Sequence, residues 1–380
     1  MANMSRVISA VDHVVECPEV WTQRLSKSKW GERIPHIGRR PDGTDVWVID
    51  GQRIPLPDIA HVGALMPDRA KTPARWDEID ASAYRPALRL DAMDRDGVEH
   101  AILYPSVAGF SGEIFAAIND AELALACAQA YNNWLIEEWA SASDRFIAQC
   151  VVPLSPIDAT VKEIKRAVAS GHRGVIFPAE PTHLRNLPHI NSSEYDPVWA
   201  ICQQLDVPLC FHAGSAPQLQ FPIAPNLAPE LAAAFRAVIR PASAVFDLSN
   251  LLFSRILLRF PELKVVFAES SIGWGTFLLE YADHQYEQDH CDYDLKPSEM
   301  FRRQCFLTTW YDPVAINAAH IGADRILWAT NFPAANSIWP DSREFAKRFL
   351  ADMSDADQEK ILRSNAAKLY KVDSSNGASH

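Results

Sequence analysis

The chain has 380 residues, 48% of them hydrophobic and 22% charged, with a formal net charge of −12. That balance suits a globular enzyme with a large core, and an acidic surface without a Lys/Arg cluster argues against nucleic acid and anionic membrane as partners. No apolar run reaches membrane-spanning length, the start MANMSRVISAVDHVVE lacks the pattern of a signal peptide, and the seven scattered cysteines have no CxxC spacing, so the expectation is a cytoplasmic protein with reduced thiols.

Short apolar runs alternate with two-faced helical stretches, which predicts a parallel sheet with crossover helices. The first run, residues 7–11, leads into Asp12-His13 and on to Glu16. A Pro- and Arg-rich excursion over 20–85 follows, where Asp50-Gly51 between strand-like residues predicts a small β-ribbon. The second run, 101–104, ends in Tyr104. AELALACAQAYNNWLIEEWAS leads to the third run, 146–152, and DATVKEIKRAVAS to the fourth, 174–177, with Arg173 just before it. YDPVWAICQQL leads to the fifth, 207–211, which ends in His212 and opens an Ala/Pro-rich excursion over 214–250.

The sixth run, 265–268, closes in Glu269-Ser270-Ser271, and SIGWGTFLLEYADHQYEQ reads as its crossover helix. The seventh, 305–308, is followed by Trp310 and Tyr311. The eighth, 326–329, stops at Thr330-Asn331 before a Pro/Asn-rich loop. DADQEKILRSNAAKLYKV reads as a closing helix, and 373–380 as a polar, disordered tail. Eight parallel strands close into a barrel, whereas five or six leave an open sheet. The expected fold is therefore an α/β distorted TIM (β/α)8 barrel, one domain over 1–372. Neither a GxGxxG turn nor a GxxxxGK loop is present, so neither nucleotide-binding signature applies.

Chemistry in such barrels sits where strands end. His13, His212, Glu269 and Asn331 each terminate a different run. Two imidazoles and a carboxylate can hold a metal or move protons. The Asn331 amide can donate a hydrogen bond but is a poor proton acceptor. A lone His or Glu at a strand end serves as readily as a cap partner; convergence of four is what predicts a site. Arg173 is a candidate to hold a substrate carboxylate bidentately, or forms a structural salt bridge. Tyr104, Trp310 and Tyr311 are candidates to line the pocket, or belong to the core.

The segments VISAVDHVVECPEVW, RLDAMDRDGVEHAILYPS, YNNWL, SDRFIAQCVVPL, GHRGVIFP, YDPVWAICQQLDVPLCFHAGS, FPELKVVFAESSIGWGTFLLE, ILWATNFPAANSIWPDS and EKILRSNAAKLY, in that order, resemble the amidohydrolase-related family. That branch includes aminocarboxymuconate-semialdehyde decarboxylase and the resorcylate decarboxylases. The resemblance implies a homodimer and a divalent metal (Zn, Mn or Fe) held by a first-strand pair, a fifth-strand His and an eighth-strand Asp. His13 matches the second member of the pair, Val11 stands at the first, and His212 matches the fifth-strand His. Glu269 matches the assisting residue on the sixth strand. Asn331 replaces the Asp, and Ala334 the His that follows it.

The expected activity is hydrolysis, lyase chemistry or decarboxylation of a small carboxylated cyclic or aromatic substrate. His13, His212 and Glu269 would form an atypical metal site, and Glu269 would serve as acid or base with a raised pKa in a dry pocket. The alternatives are a metal-independent, lactonase-like hydrolase and a non-catalytic homologue that binds a ligand or partner.

Overall fold

The structure is a computed structural model and describes residues 7–56, 62–69, 71–214 and 226–372. The apolar run VISAVDH forms β1 (Val7–His13), buried at every position. Strands covered on both faces need such unbroken runs rather than alternation. β2 (His36–Arg39), β3 (Asp45–Ile49) and β4 (Gln52–Pro55) make an antiparallel sheet. Asp50 and Gly51, at φ 48° and 79°, turn β3 into β4.

The remaining strands are β5 (Val98–Tyr104), β6 (Phe146–Ala148), β7 (Cys150–Val151), β8 (Val175–Ile176), β9 (Leu209–His212), β10 (Val265–Ala268), β11 (Cys305–Thr309) and β12 (Ile326–Trp328). They pair in parallel as two sheets, β1-β5-β6 and β7 through β12 in chain order. β6 and β7 come from one apolar run, interrupted at Gln149, whose Nε2 donates to Leu103 O at 3.4 Å. Beyond β12 the chain returns to β1: Asn331 N donates to Val11 O at 2.9 Å and His13 N donates to Phe332 O at 2.7 Å.

Helices such as Pro86–Asp96, Ala121–Trp134, Ile157–Ala169 and Gly273–Gln288 link the strands. Ile157–Ala169 shows how they dock: it buries Thr160, Glu163, Ile164 and Ala167, one face at helical spacing. β5 starts three residues earlier than its apolar run, because Glu99 and His100 are polar yet buried. Arg363 Nε donates to Glu99 Oε2 at 2.7 Å and so offsets the burial of that carboxylate.

The second excursion contains helices Pro229–Ile239 and Ala242–Phe253. Residues 57–61 and 70 of the first excursion, 215–225 of the second, and the 373–380 tail lie outside the described residues. All seven cysteines are free. Among the described residues no helix is long and apolar enough to cross a membrane.

Candidate active site

Parallel pairing puts the C-terminal ends of the strands on one side. His13 ends β1, His212 ends β9 and Glu269 directly follows β10. All three are buried, and one ligand-capable atom of each lies within 4.8 Å of the others. Glu269 and Asn331 both have positive φ, 51° and 55°. Non-glycine residues seldom adopt that region, and when they do the position is often a working one.

Rings wall the cluster. The His13 and His212 rings lie edge to face at 5.2 Å, and Phe110 packs 4.9 Å from each. Burial, with the neighbouring His212, pushes His13 down to about 3, so it is a neutral imidazole. Its Nδ1 faces Pro105 O at 3.4 Å. His212 Nδ1 is 2.9 Å from Ala213 O and donates to it in the tautomer that satisfies that carbonyl. The lone pair then sits on Nε2, which faces Glu269 Oε2 at 3.4 Å. Two acceptors so placed call for a cation between them, a proton or a metal.

Glu269 departs from expectation. Burial alone would raise its pKa; Arg240, then His212, His13 and Asn336, more than offset that and hold the carboxyl at about 2. It is ionised at neutral pH, so the expected raised pKa is corrected. The reason is the cations and donors around it: Arg240 Nη1 lies 3.4 Å from Oε1, and Asn336 Nδ2 donates to the same oxygen at 2.8 Å. Asn331 Nδ2 donates to Asn336 Oδ1 at 2.8 Å, so an amide chain runs from Asn331 to Glu269. Asn331 Oδ1 is buried and has no hydrogen-bond partner among the described residues.

Asp12 stays out of the cluster. Its Oδ1 accepts from Ser9 Oγ, Thr330 Oγ1 and Phe332 N at 2.8, 2.6 and 3.1 Å. Val11 lies in the core and offers only its backbone carbonyl.

The proposed substrate contacts divide. Tyr311 is 43% exposed; burial and then the Glu269 carboxylate push its phenol up to about 12, so it lies within reach of that charge. Trp310 is buried behind it, edge to face at 4.9 Å. Tyr104 is fully buried with its ring 5.3 Å from that of His212, so it supports the imidazoles and has no surface for a substrate. Arg173 is corrected outright. It precedes β8, at the opposite end of a parallel strand from the cluster, and its Nη1 donates to Lys371 O at 2.5 Å and Tyr370 O at 3.4 Å. Three residues of the site carried no sequence signal: Phe110, Arg240 and Asn336. None ends an apolar run or has a motif spacing.

A family model described as Amidohydrolase matches residues 57–372. Gamma-resorcylate decarboxylase of Rhizobium sp. (strain MTP-10005) is 28% identical over 320 residues, 75% of this chain and 86% of that one. An amidohydrolase of Mycobacterium avium subsp. paratuberculosis K-10 superposes with a TM-score of 0.77 at 22% identity, over 97% of this chain and 100% of that one. A dihydroxybenzoic acid decarboxylase of Polaromonas sp. JS666, solved with manganese and 2-nitroresorcinol, gives 0.65 at 19% identity over 97% of each chain. The structural likenesses carry a TIM-barrel-like α/β fold. With the family match over most of its length, the chain belongs to the amidohydrolase family.

Proposed function

We propose that this protein is an enzyme that decarboxylates a small aromatic carboxylate within one distorted (β/α)8 barrel domain, residues 1–372, closed by the bonds between the segment after β12 and β1. The observation that carries the reading is the convergence of His13, His212 and Glu269 from three strand ends in one buried, aromatic-walled cluster. The curated relative from Rhizobium is a decarboxylase of an aromatic acid, which favours this reaction over hydrolysis.

The donor set fits a divalent metal. It offers two imidazoles and a carboxylate, with the His212 lone pair facing Glu269 and the unpartnered Asn331 Oδ1 in the same amide chain. His13, His212 and Glu269 would hold the ion, which would polarise substrate oxygens as a Lewis acid.

The side chains have work of their own. Asn336 and Arg240 fix Glu269 Oε1, leaving Oε2 toward His212. Phe110 and the buried Tyr104 ring keep water from the imidazoles, and a poorly hydrated carboxylate loses carbon dioxide more readily than a hydrated one. A proton taken up between the His212 Nε2 lone pair and the ionised Glu269 Oε2 would be held for the ring. As the carboxyl C–C bond breaks, its electron pair stays on the ring carbon, and that proton closes the C–H bond.

The test measures carbon dioxide release from hydroxylated benzoates by protein purified without chelator, with metal content determined on the same sample. Turnover that falls by about two orders of magnitude or more in both His212→Ala and Glu269→Ala is the expected result. No release from any aromatic acid, or full activity in both variants, overturns the reading. The homodimer remains part of this proposal; its basis is the exposed apolar helix face formed by Phe246, Phe253, Phe277, Tyr281 and Ile316.

A further inference from the structure

Arg240 is the one Arg or Lys that pairs with a side chain of the cluster, among the described residues, and its position is built rather than incidental. It follows the helix Pro229–Ile239 and so belongs to the second excursion. Its carbonyl accepts from Ser243 Oγ at 3.1 Å, and that same hydroxyl accepts from Gly214 N at 3.0 Å, two residues past His212. The stem of the side chain lies across Gly214, where a Cβ would meet Cγ at 2.8 Å and Cδ at 2.9 Å. Gly214 also has φ +81°, so glycine is needed there both for its conformation and for the passage of Arg240.

What the guanidinium does at its tip is less complete. It makes a single end-on contact of 3.4 Å with Glu269 Oε1, not the paired geometry that makes Arg–carboxylate bridges strong. That oxygen already has a closer donor in Asn336. The side chain is one-third exposed, while Glu269 is nearly buried. Among the described residues this planar fork of five donors uses one of them poorly, with the half-exposed Tyr311 within reach of its charge, and so has capacity for a second anion.

We propose that Arg240 is a specificity-determining residue that receives a ring-borne anionic oxygen which the substrate retains, a second carboxylate or a phenolate, while Tyr311 lies against the ring. This rests on the decarboxylation reading. A cation on the departing carboxylate would stabilise the ground state against the flow of charge to the ring, so its useful place is on the group that stays. Arg173, the cation expected in this role, lies at the other end of its strand and cannot take part.

The test is calorimetric binding to the full chain, as purified, of three non-hydroxylated or nitrated analogues: benzoate, isophthalate, and 4-hydroxy-3-nitrobenzoate as its phenolate. Wild type is expected to bind at least one of the two dianions about tenfold or more tightly than benzoate, and which one identifies the retained group. Arg240→Gln is expected to bring all three within about twofold of one another, and Arg240→Lys to recover part of the preference. On a turned-over substrate, Arg240→Gln should raise KM by a larger factor than it lowers kcat. A wild-type protein without preference for a dianion, or a preference that survives Arg240→Gln, overturns the proposal. Because binding is read without turnover, absence of carbon dioxide release would overturn the decarboxylation reading alone.

Discussion

Asn331 and Asn336 together decide how Glu269 is presented. Glu269 Oε1 takes its closest hydrogen bond from Asn336, which in turn accepts from Asn331. Asn336→Ala removes the donor without touching the imidazoles, and kcat/KM is expected to fall about tenfold, as for loss of other residues that orient a ligand. Asn331→Asp restores a carboxylate where the amide stands, so metal retained through purification is expected to rise about tenfold in affinity. Unchanged metal content in elemental analysis of Asn331→Asp would detach Asn331 from ion binding. His13, His212 and Glu269 were legible in the sequence because each ends an apolar run, and strand ends are where such a fold exposes polar groups. Arg240 and Asn336 were not, because they reach Glu269 from 29 and 67 residues away through loops without periodicity. Arg173 falls away from the cluster for a reason visible in the sequence: it precedes its strand, and parallel strands send what precedes them to the far end of the sheet.

At the scale of elements, two buried charged residues tie the strand ends together. Arg89, on the helix Pro86–Asp96, donates from Nη2 to His13 O at 2.7 Å and from Nε to Ser82 O at 2.9 Å, and it stacks 4.4 Å from the Phe332 ring. Arg89→Met leaves both carbonyls without their donor, and is expected to destabilise the fold by about 3 kcal/mol, measured by chemical denaturation. Glu16 plays the other part. Its Oε2 accepts from Val107 N at 2.8 Å and Ser106 N at 3.1 Å, joining the loop after β1 to the loop after β5. Burial pushes its carboxyl from 4.5 up to about 7, with the backbone donors opposing. The folded value lies above the unfolded one, so this group's contribution is whole below pH 4.5 and is lost as pH rises through about 7. The loss amounts to roughly 3 kcal/mol once pH is well above 7. In Glu16→Gln the decline of stability between roughly pH 5 and 8 should flatten; parallel wild-type and variant curves would show that Glu16 does not titrate there. The apolar runs announced the strands, but these clamps did not show, since a buried carboxylate looks like any loop Glu until its backbone partners are in place.

Across the whole molecule, the covered parallel strands and their helices account for a self-contained core, yet large apolar side chains remain outside it. Phe246 and Phe253 on Ala242–Phe253, Phe277 and Tyr281 on Gly273–Gln288, and Ile316 on Val314–Ile321 are between 43% and 71% exposed. Gly273–Gln288 packs against both of the other helices, which sets the three side by side. Phe277 and Tyr281 stack at 5.8 Å, one helical turn apart. Soluble monomers seldom leave contiguous apolar area of this kind uncovered, and a self-complementary face is the simplest basis for a two-fold pair. The sequence carried this only as alternation too weak to separate a core face from a contact face: Phe277 and Leu278 are neighbours, one 65% and the other 8% exposed. The expected mass by light scattering is twice the 42.4 kDa chain. Phe277→Glu puts a charge at the most exposed aromatic of the face, where burial against a second copy would cost several kcal/mol, while in the isolated chain it stays in water. The variant should therefore run as a monomer with its thermal midpoint reduced only by the lost pairing. A wild-type protein that is monomeric at tens of micromolar, or a Phe277→Glu variant that remains paired, would remove the apolar face from the interface.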